Sequence, residues 1–462
     1  MKHVHFIGIC GVAMSALALT FKEKGWKVTG SDVGFYPPVS TSLEENQIDF
    51  YAGWHPDRVL RSFSEGGENS SNEYLVVVGN VAGSTNPEWL YVVENKLNYK
   101  SYPEVIADYF VKQNSIVCAG TFGKTTCTAL LTWIFLRSGH NPSYMFGGLS
   151  QNKLPSAHLT DGDYSILEGD EYKSARWDLR PKFFHYRPKH LLLTAVVWDH
   201  ADVYKTERDY MEVFQKLVEE PKGIVIVSER VKNIKLPEKS ITYGPSSAAT
   251  YNYGDIIETE NGIKFNIKHD GISHAVSSPC LGEYMADNIT ACFALAHELG
   301  LEPKKILESV KFFIGMKRRL EKRHVGKVVV IDDIAHSPAK AMSVLKTIRK
   351  IYPGKIFAIF EPNIGNRLAS SASGYDNAFK DADEVIIPRL TKLKLDSGGE
   401  KSLDGEGIAE VIRKTQPNTT YIAGDSELVK YLLKKAPLGG VIVFLGSHGF
   451  RGMIEEVVKN VA

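Results

Sequence analysis

The run Gly120-Thr121-Phe122-Gly123-Lys124-Thr125-Thr126 holds the residue types that bind a phosphate chain. A glycine turn opening a helix aims backbone N–H groups at an anion, and the helix dipole favours negative charge there. Lys124 would reach the β- and γ-phosphates, and the Thr125 hydroxyl would ligate Mg2+. Cys118 stands where the eight-residue Walker pattern has its first glycine, so the strict form is not met. Two further clusters could hold metal beside a nucleotide. Glu168-Gly169-Asp170-Glu171 follows the run Tyr164–Leu167, and Trp198-Asp199-His200-Ala201-Asp202 follows Leu191–Val197. Hard carboxylate oxygens suit Mg2+. Each cluster taken alone would more often be a solvated loop or a helix cap.

A second glycine turn, Gly8-Ile9-Cys10-Gly11-Val12-Ala13-Met14, comes earlier, with Ala13 in place of the third glycine of the dinucleotide fingerprint. Asp32 follows the next apolar run, where an acid could bind a ribose. A tight turn without a ligand is the competing reading. A basic cluster, Lys317-Arg318-Arg319 with Glu321-Lys322-Arg323, precedes Asp332-Asp333-Ile334-Ala335-His336. Most of such a run is a solvated face, but an arginine brought to a transferring phosphoryl group is a recurrent device.

Positioning these groups requires strands whose ends meet. Short apolar runs recur at Leu75–Val78, Ser115–Ala119, Ile224–Val227, Val328–Ile331, Ile356–Phe360 and Val441–Leu445. They are continuous rather than alternating, as suits strands buried on both faces of a parallel sheet, and helix-like stretches separate them. An α/β class follows. In a parallel sheet the phosphate turn and both acidic clusters would share the C-terminal edge. Polar stretches at Ser62–Asn72, Ser370–Gly374 and Asp396–Gly399 read as surface loops.

At roughly 150 residues per domain, 462 residues suggest about three domains. Boundaries near 110 and 315 divide the chain into 1–110, 111–315 and 316–462. With 43% apolar and 24% charged residues, disorder, collagen and a mini-protein scaffold are excluded. The net charge of +1 gives no general attraction to nucleic acid or a membrane, so any phosphate recognition must be local. Five scattered cysteines without a C-x-x-C spacing argue against a disulfide framework or a zinc site, and for a reducing compartment. The N-terminus does not read as a signal peptide, and no apolar run approaches the ~20 residues needed to span a bilayer. A cytoplasmic location is expected.

Together these residues resemble the Mur ligase family, the ATP-dependent amide-forming ligases of peptidoglycan synthesis, over essentially the whole chain. The resemblance rests on the Gly8–Met14 turn, the 120–126 loop, Glu168, Asp199-His200, Asn288, Arg318-Arg319 and Asp332-Asp333 with His336. It implies three α/β domains: a Rossmann-like domain for a UDP-sugar, a central P-loop ATPase domain and a C-terminal Rossmann-like domain for the amine. It implies ATP and Mg2+ as cofactors. Lys124, Glu168, His200 and Arg318 are expected as catalytic residues, and Thr125, Glu168 and His200 as metal ligands. Gly120, Thr121, Gly123, Lys124, Thr125, Thr126, Asn288, Arg319, Asp333 and His336 are expected to contact ATP. Gly8, Gly11, Met14, Ser31, Asp32 and Asn80 are expected to contact the UDP-sugar.

Within the family, several segments resemble the branch that adds a recycled tripeptide. They are Tyr36-Pro37-Pro38-Val39-Ser40-Thr41, Gly79-Asn80 with Asn86-Pro87, Asp170-Glu171-Tyr172, Lys182–Tyr186 with Pro188, Phe360-Glu361-Pro362 and Gly449-Phe450 with Gly452. The implied substrates are UDP-N-acetylmuramate and L-alanyl-γ-D-glutamyl-meso-diaminopimelate, with L-alanine as the alternative amine. A monomer or homodimer without nucleic-acid or membrane partners is implied. The chain departs from the family pattern at Phe122, Tyr284-Met285, Ser337 and Asn363-Ile364-Gly365. These departures keep open a nucleotide-gated binding protein that has lost ligase activity.

Overall fold

The short apolar runs assemble into three sheets in a computed structural model, which describes residues 2–36, 39–59, 74–198, 203–391, 402–435 and 439–461. The first sheet has the order β3-β2-β1-β4-β5, with β1 His3–Ile7, β2 Lys27–Asp32, β3 Asp49–Ala52, β4 Tyr74–Val78 and β5 Tyr99–Ser101. Its neighbours pair in parallel. All five residues of β1 and of β4 are buried, which is why both read as continuous apolar runs. The helix Val12–Glu23 turns Met14, Leu17, Ala18 and Phe21 inward.

The second sheet has the order β15-β14-β13-β12-β11-β10-β6-β9-β7-β8. Its strands are β6 Asn114–Ala119, β7 Ser143–Met145, β8 Ala157–His158, β9 Tyr164–Gly169, β10 His190–Leu193, β11 Val225–Ser228, β12 Ile241–Gly244, β13 Tyr251–Thr259, β14 Gly262–His269 and β15 Ile272–Ser278. The stretch from β7 through β9, β6, β10, β11 and β12 to β13 is parallel, and β8 is an antiparallel edge. The third sheet, in the order β16-β17-β21-β18-β19-β20, is parallel apart from β16. It comprises β16 Glu321–His324, β17 Val329–Asp333, β18 Ile356–Glu361, β19 Glu384–Pro388, β20 Thr419–Ile422 and β21 Val441–Gly446. This is a three-part α/β architecture dominated by parallel sheet.

By compactness the chain forms two units. One comprises 1–254, 266–276 and 287–313; the other comprises 255–265, 277–286 and 314–462. The first unit thus contains both the first sheet and the part of the second that carries the 120–126 glycine turn.

Two local expectations change. The run Leu191–Val197 is a strand only as far as Leu193. Beyond it the backbone turns to serve the glycine loop: Thr121 N–H donates to Ala195 O at 2.7 Å, and Val197 N–H donates to Thr121 Oγ1 at 2.9 Å. Ser370–Gly374, read as a surface loop, is a 3-10 helix, Ala369–Tyr375, that keeps Ser370, Ser373 and Gly374 at the surface. The loops read at Ser62–Asn72 and Asp396–Gly399 lie outside the described residues. All five cysteines are free thiols. Among the described residues no helix is long and apolar enough to cross a membrane.

Candidate active site

Strand register brings the chemistry of the first unit together. β6 pairs with β9 so that Cys118 faces Glu168, and with β10 so that Ala119 faces Leu193. Because all three strands run the same way, the 120–126 turn, the Glu168–Glu171 cluster and Thr194 emerge at one edge. Gly123 caps the helix Lys124–Arg137 with φ +85°, in the left-handed region. A Cβ there would lie 2.7 Å from Asn288 Oδ1. The turn is therefore closed on Asn288, whose helix, Tyr284–Glu298, comes from much later in the chain.

Side chains around the turn are already paired. Lys124 Nζ lies 2.7 Å from Glu171 Oε2, and that carboxylate is fully buried. Tyr204 Oη donates to the Glu171 backbone carbonyl at 2.5 Å. The Thr125 hydroxyl donates to Glu168 Oε1 at 2.7 Å, and Gly147 N–H donates to Glu168 Oε2 at 2.6 Å. Burial pushes the Glu168 carboxyl upward despite those hydrogen bonds. Burial acts the same way on Asp170, but Lys182, with Nζ at 2.6 Å, and Lys124 outweigh it and hold Asp170 below its ordinary value. Thr121 is locked by a 2.9 Å hydrogen bond to Val197 O and a 3.0 Å contact with Tyr210 Oη. Thr126 is buried, while Phe122 stands half-exposed at the tip of the turn.

The donor set suits a hard divalent cation. A hydroxyl and a buried carboxylate converge at Thr125 and Glu168, and a cation there would offset the desolvation that burdens Glu168. Asp199, His200 and Asp202 lie outside the described residues.

The first glycine turn is built differently. Gly8 has φ +91°, and Gly8 and Ile9 N–H groups donate to Ser31 O at 2.8 and 3.0 Å. Gly11 caps the helix Val12–Glu23 with an extended backbone. Asp32 is buried, and its two oxygens accept from Cys10 N–H at 2.8 Å and Val33 N–H at 2.7 Å. Met14 is buried beneath the turn, whereas Asn80 is exposed after β4. The Ser31 hydroxyl donates to Glu88 Oε2, which reveals a network that the motifs did not announce. Glu88, fully buried, also accepts from Tyr51 Oη at 2.7 Å and His55 N–H at 2.8 Å. Burial opposes its ionisation, but His5, Ser31 and His55 together hold Glu88 below its ordinary value. A glutamate in the first turn of a helix reads as an exposed partner of the dipole; only the fold turns it inward.

In the second unit Arg318, Asp332, Asp333 and His336 gather around β17. The Arg318 guanidinium lies 3.3 Å from Asp332 Oδ1 and donates to the carbonyls of Gly446, Ser447 and His448. It braces the end of β21. Asp333 accepts from Leu320 N–H and Ala335 N–H at 2.8 and 2.9 Å, and burial pushes its carboxyl upward. His336 Nδ1 lies 2.7 Å from Ile334 O, and Arg319 is exposed. Ser337 has a local purpose: its hydroxyl caps the helix Pro338–Ile351 by accepting from Lys340 N–H at 3.4 Å. Three arginines that the motifs did not single out ring the strand ends of this sheet. Arg451 and Arg367 lie 3.1 and 3.5 Å from Glu361, and Arg389 lies 2.7 Å from Asp425.

Three family descriptions match successive parts of the chain: "Mur ligase family, catalytic domain" at 3–113, "Mur ligase middle domain" at 118–296 and "Mur ligase, glutamate ligase domain" at 318–448. The chain is 28% identical to the UDP-N-acetylmuramate–L-alanyl-γ-D-glutamyl-meso-2,6-diaminoheptandioate ligase of Haemophilus influenzae, with 100% of this chain and 99% of that protein covered. It is also 28% identical to the UDP-N-acetylmuramate–L-alanine ligase of Streptococcus pyogenes, with 99% of each covered. Among solved structures, the UDP-N-acetylmuramate–alanine ligase of Thermotoga maritima superposes with a TM-score of 0.81 at 22% identity, over 100% of this chain and 99% of that one.

Proposed function

This chain belongs to the Mur ligase family, and from that premise we propose that it joins the carboxylate of UDP-N-acetylmuramate to the amine of L-alanyl-γ-D-glutamyl-meso-diaminopimelate, driven by ATP. The observation that carries the ligase reading is the constellation of Lys124, Thr125, Glu168 and Glu171 at one parallel-sheet edge, behind a glycine turn. We further propose that 1–110 binds the UDP-sugar, 111–315 the ATP and 316–462 the amine, in the cytoplasm.

A carboxylate does not condense with an amine in water, because its oxygen is a poor leaving group. Transfer of the γ-phosphoryl group to that oxygen makes an acyl phosphate; attack by the amine, which gives up a proton, then expels phosphate and leaves an amide. Phosphoryl transfer needs alignment and charge neutralisation more than covalent help. Lys124 is placed in this reading on the β/γ-phosphates, exchanging Glu171 for them. Backbone N–H groups of the 120–126 turn hold the remaining oxygens. Thr125 and Glu168 would hold Mg2+, which supplies neutralisation of the transferring group when bound. His200 is proposed as a further metal ligand, and Asn288, Arg319, Asp333 and His336 as nucleotide contacts. Arg318, whose guanidinium is held by three backbone carbonyls at the β21 end, is proposed with Lys124, Glu168 and His200 as a catalytic residue, the arginine brought to the transferring phosphoryl group. Gly8, Gly11, Met14, Ser31, Asp32 and Asn80 are assigned to the UDP-sugar.

The tripeptide is preferred over L-alanine because it carries several carboxylates. Arg367, Arg389 and Arg451 outnumber their carboxylate partners Glu361 and Asp425, and with Arg389 59% exposed the excess positive charge can meet a peptide carboxylate. L-alanine is the second reading, since a relative named for that amine shows the same 28% identity over nearly the whole chain. The deciding experiment is ATP-dependent phosphate release with UDP-N-acetylmuramate and either amine, with product mass confirmed. Faster release with tripeptide is expected. Preference for alanine would assign the second reading, and ATP binding without product for either amine would point to a non-catalytic role.

A further inference from the structure

The ligase reading leaves one group of metal-ligating side chains unused. At the far end of the helix Tyr284–Glu298, His297 and Glu298 meet His269, the last residue of β14. One ligand atom from each lies within 4.8 Å of the other two. Asn288, beside the phosphate turn, is nine residues away, or ~14 Å along the helix axis. The group is thus separate from the nucleotide chemistry.

Hydrogen bonds prepare these side chains for a cation. His269 Nδ1 lies 3.1 Å from Thr250 O, a pure acceptor, so Nδ1 carries the proton and Nε2 keeps its lone pair. The Tyr251 hydroxyl lies 2.8 Å from His297 Nδ1 and donates to Glu298 Oε1 at 2.7 Å. With its only proton given to Glu298, Tyr251 accepts from His297 Nδ1–H, which leaves His297 Nε2 as a second lone pair. Glu298 Oε2 remains for ligation. This is the outer-shell arrangement that fixes imidazole tautomers around metals. The Tyr251 ring also stacks on His269, with centroids 3.9 Å apart and planes 7° from parallel. Asp270 Oδ2 lies 3.4 Å from His269 Nε2, close enough to offer a fourth ligand. The last turn of a helix, where His297 and Glu298 sit, favours positive charge.

We propose that His269, His297 and Glu298 bind one divalent cation of the zinc class, with Asp270 or water completing four-coordination, and that this ion staples the β14–β15 hairpin to the helix end. Two imidazoles and a carboxylate select borderline ions over Mg2+, which prefers oxygen alone. No electron transfer or bond-making is involved.

The test uses the full-length protein, stripped of metal and held in excess Mg2+ to mask carboxylate sites, titrated with Zn2+ against a chromophoric chelator. Wild type is expected to take up one equivalent, with visible d–d absorption when Co2+ replaces Zn2+. Tyr251→Phe, which removes only the outer-shell hydroxyl, should weaken binding roughly 10–100-fold. His269→Gln and Glu298→Gln should abolish the competing equivalent while keeping the wild-type circular dichroism without metal. Zn2+ should raise the melting temperature of wild type but not of these variants. Absence of the equivalent in wild type, or its retention in both ligand variants, would overturn the site.

Discussion

The two glycine turns of the first unit share a backbone plan and differ in what surrounds it. Each follows a buried parallel strand, places a glycine at positive φ (Gly8 at +91°, Gly120 and Gly123 at +129° and +85°) and opens a helix. Around the first, the neighbouring strand supplies Asp32, whose carboxylate accepts backbone N–H groups, and no cationic side chain is in the motif. Around the second, neighbouring strands supply Glu168 and Glu171, which hold a hydroxyl and an ammonium carried by the helix itself. The first turn is therefore suited to hydrogen bonding a polar group beside an acid, and the second to handling a highly charged one. A helix N-terminus alone attracts anions; adjacent strands decide which anion and for what chemistry.

The largest expected effect separates the turns directly. Lys124→Ala should lower the rate of phosphate release by about 10³-fold, as loss of a preorganised charge-stabilising donor does. Near wild-type turnover would remove the phosphoryl-transfer role from the second turn and make the two turns equivalent.

Next comes the strand beneath the second turn. His190 at the start of β10 is buried and accepts from Ile224 N–H through Nδ1 at 3.1 Å. Burial and Lys189 push its imidazole down to about 4. The unfolded chain therefore binds a proton between about pH 6.5 and 4 that the folded chain refuses, so stability falls as pH drops through that window. From pH 7 to pH 5 the loss from this group is on the order of 2 kcal/mol. Denaturant titrations of wild type and His190→Gln at both pH values measure it; an equal pH dependence in both would remove His190 as the cause.

Adding a methyl group at either positive-φ glycine costs about 1–2 kcal/mol in backbone strain, but the readouts diverge. Gly123→Ala should impair ATP turnover, because its Cβ presses on Asn288 Oδ1. Gly8→Ala, whose Cβ meets Val81, should raise KM for the UDP-sugar while leaving KM for ATP unchanged. Identical kinetic profiles for the two variants would contradict separate ligands.

The smallest effect belongs to Asp32→Asn. One oxygen still accepts, so the turn survives, and the loss is about 1 kcal/mol, or roughly fivefold in KM for the UDP-sugar. An effect confined to ATP would misassign the first turn.

Much of this was legible in the chain because continuous apolar runs report strands buried on both faces, whatever their partners. The runs at Ser115–Ala119 and Val441–Leu445 become β6 and β21 with shifts of one residue. The Gly120–Thr126 turn was legible because its residues are adjacent and their chemistry is local. Where Leu191–Val197 stops being a strand was not, because Thr121, about 75 residues earlier, captures its backbone at Ala195 and Val197.

By itself, then, the sequence determined the class of the sheets and the position of the 120–126 glycine turn, and it offered Glu168 and Thr125 as hard oxygen donors. Those follow from hydrophobic patterning, glycine's access to positive φ and the hardness of oxygen donors. Tertiary structure alone decided that Lys124 rests on Glu171, that Glu88 is buried among Ser31, Tyr51 and His55, and that Arg318 braces a strand end. It also decided that His269 meets His297. Each of these pairs residues far apart in the chain, and strand register, which depends on long-range packing, selects which of many chemically equivalent partners comes within reach.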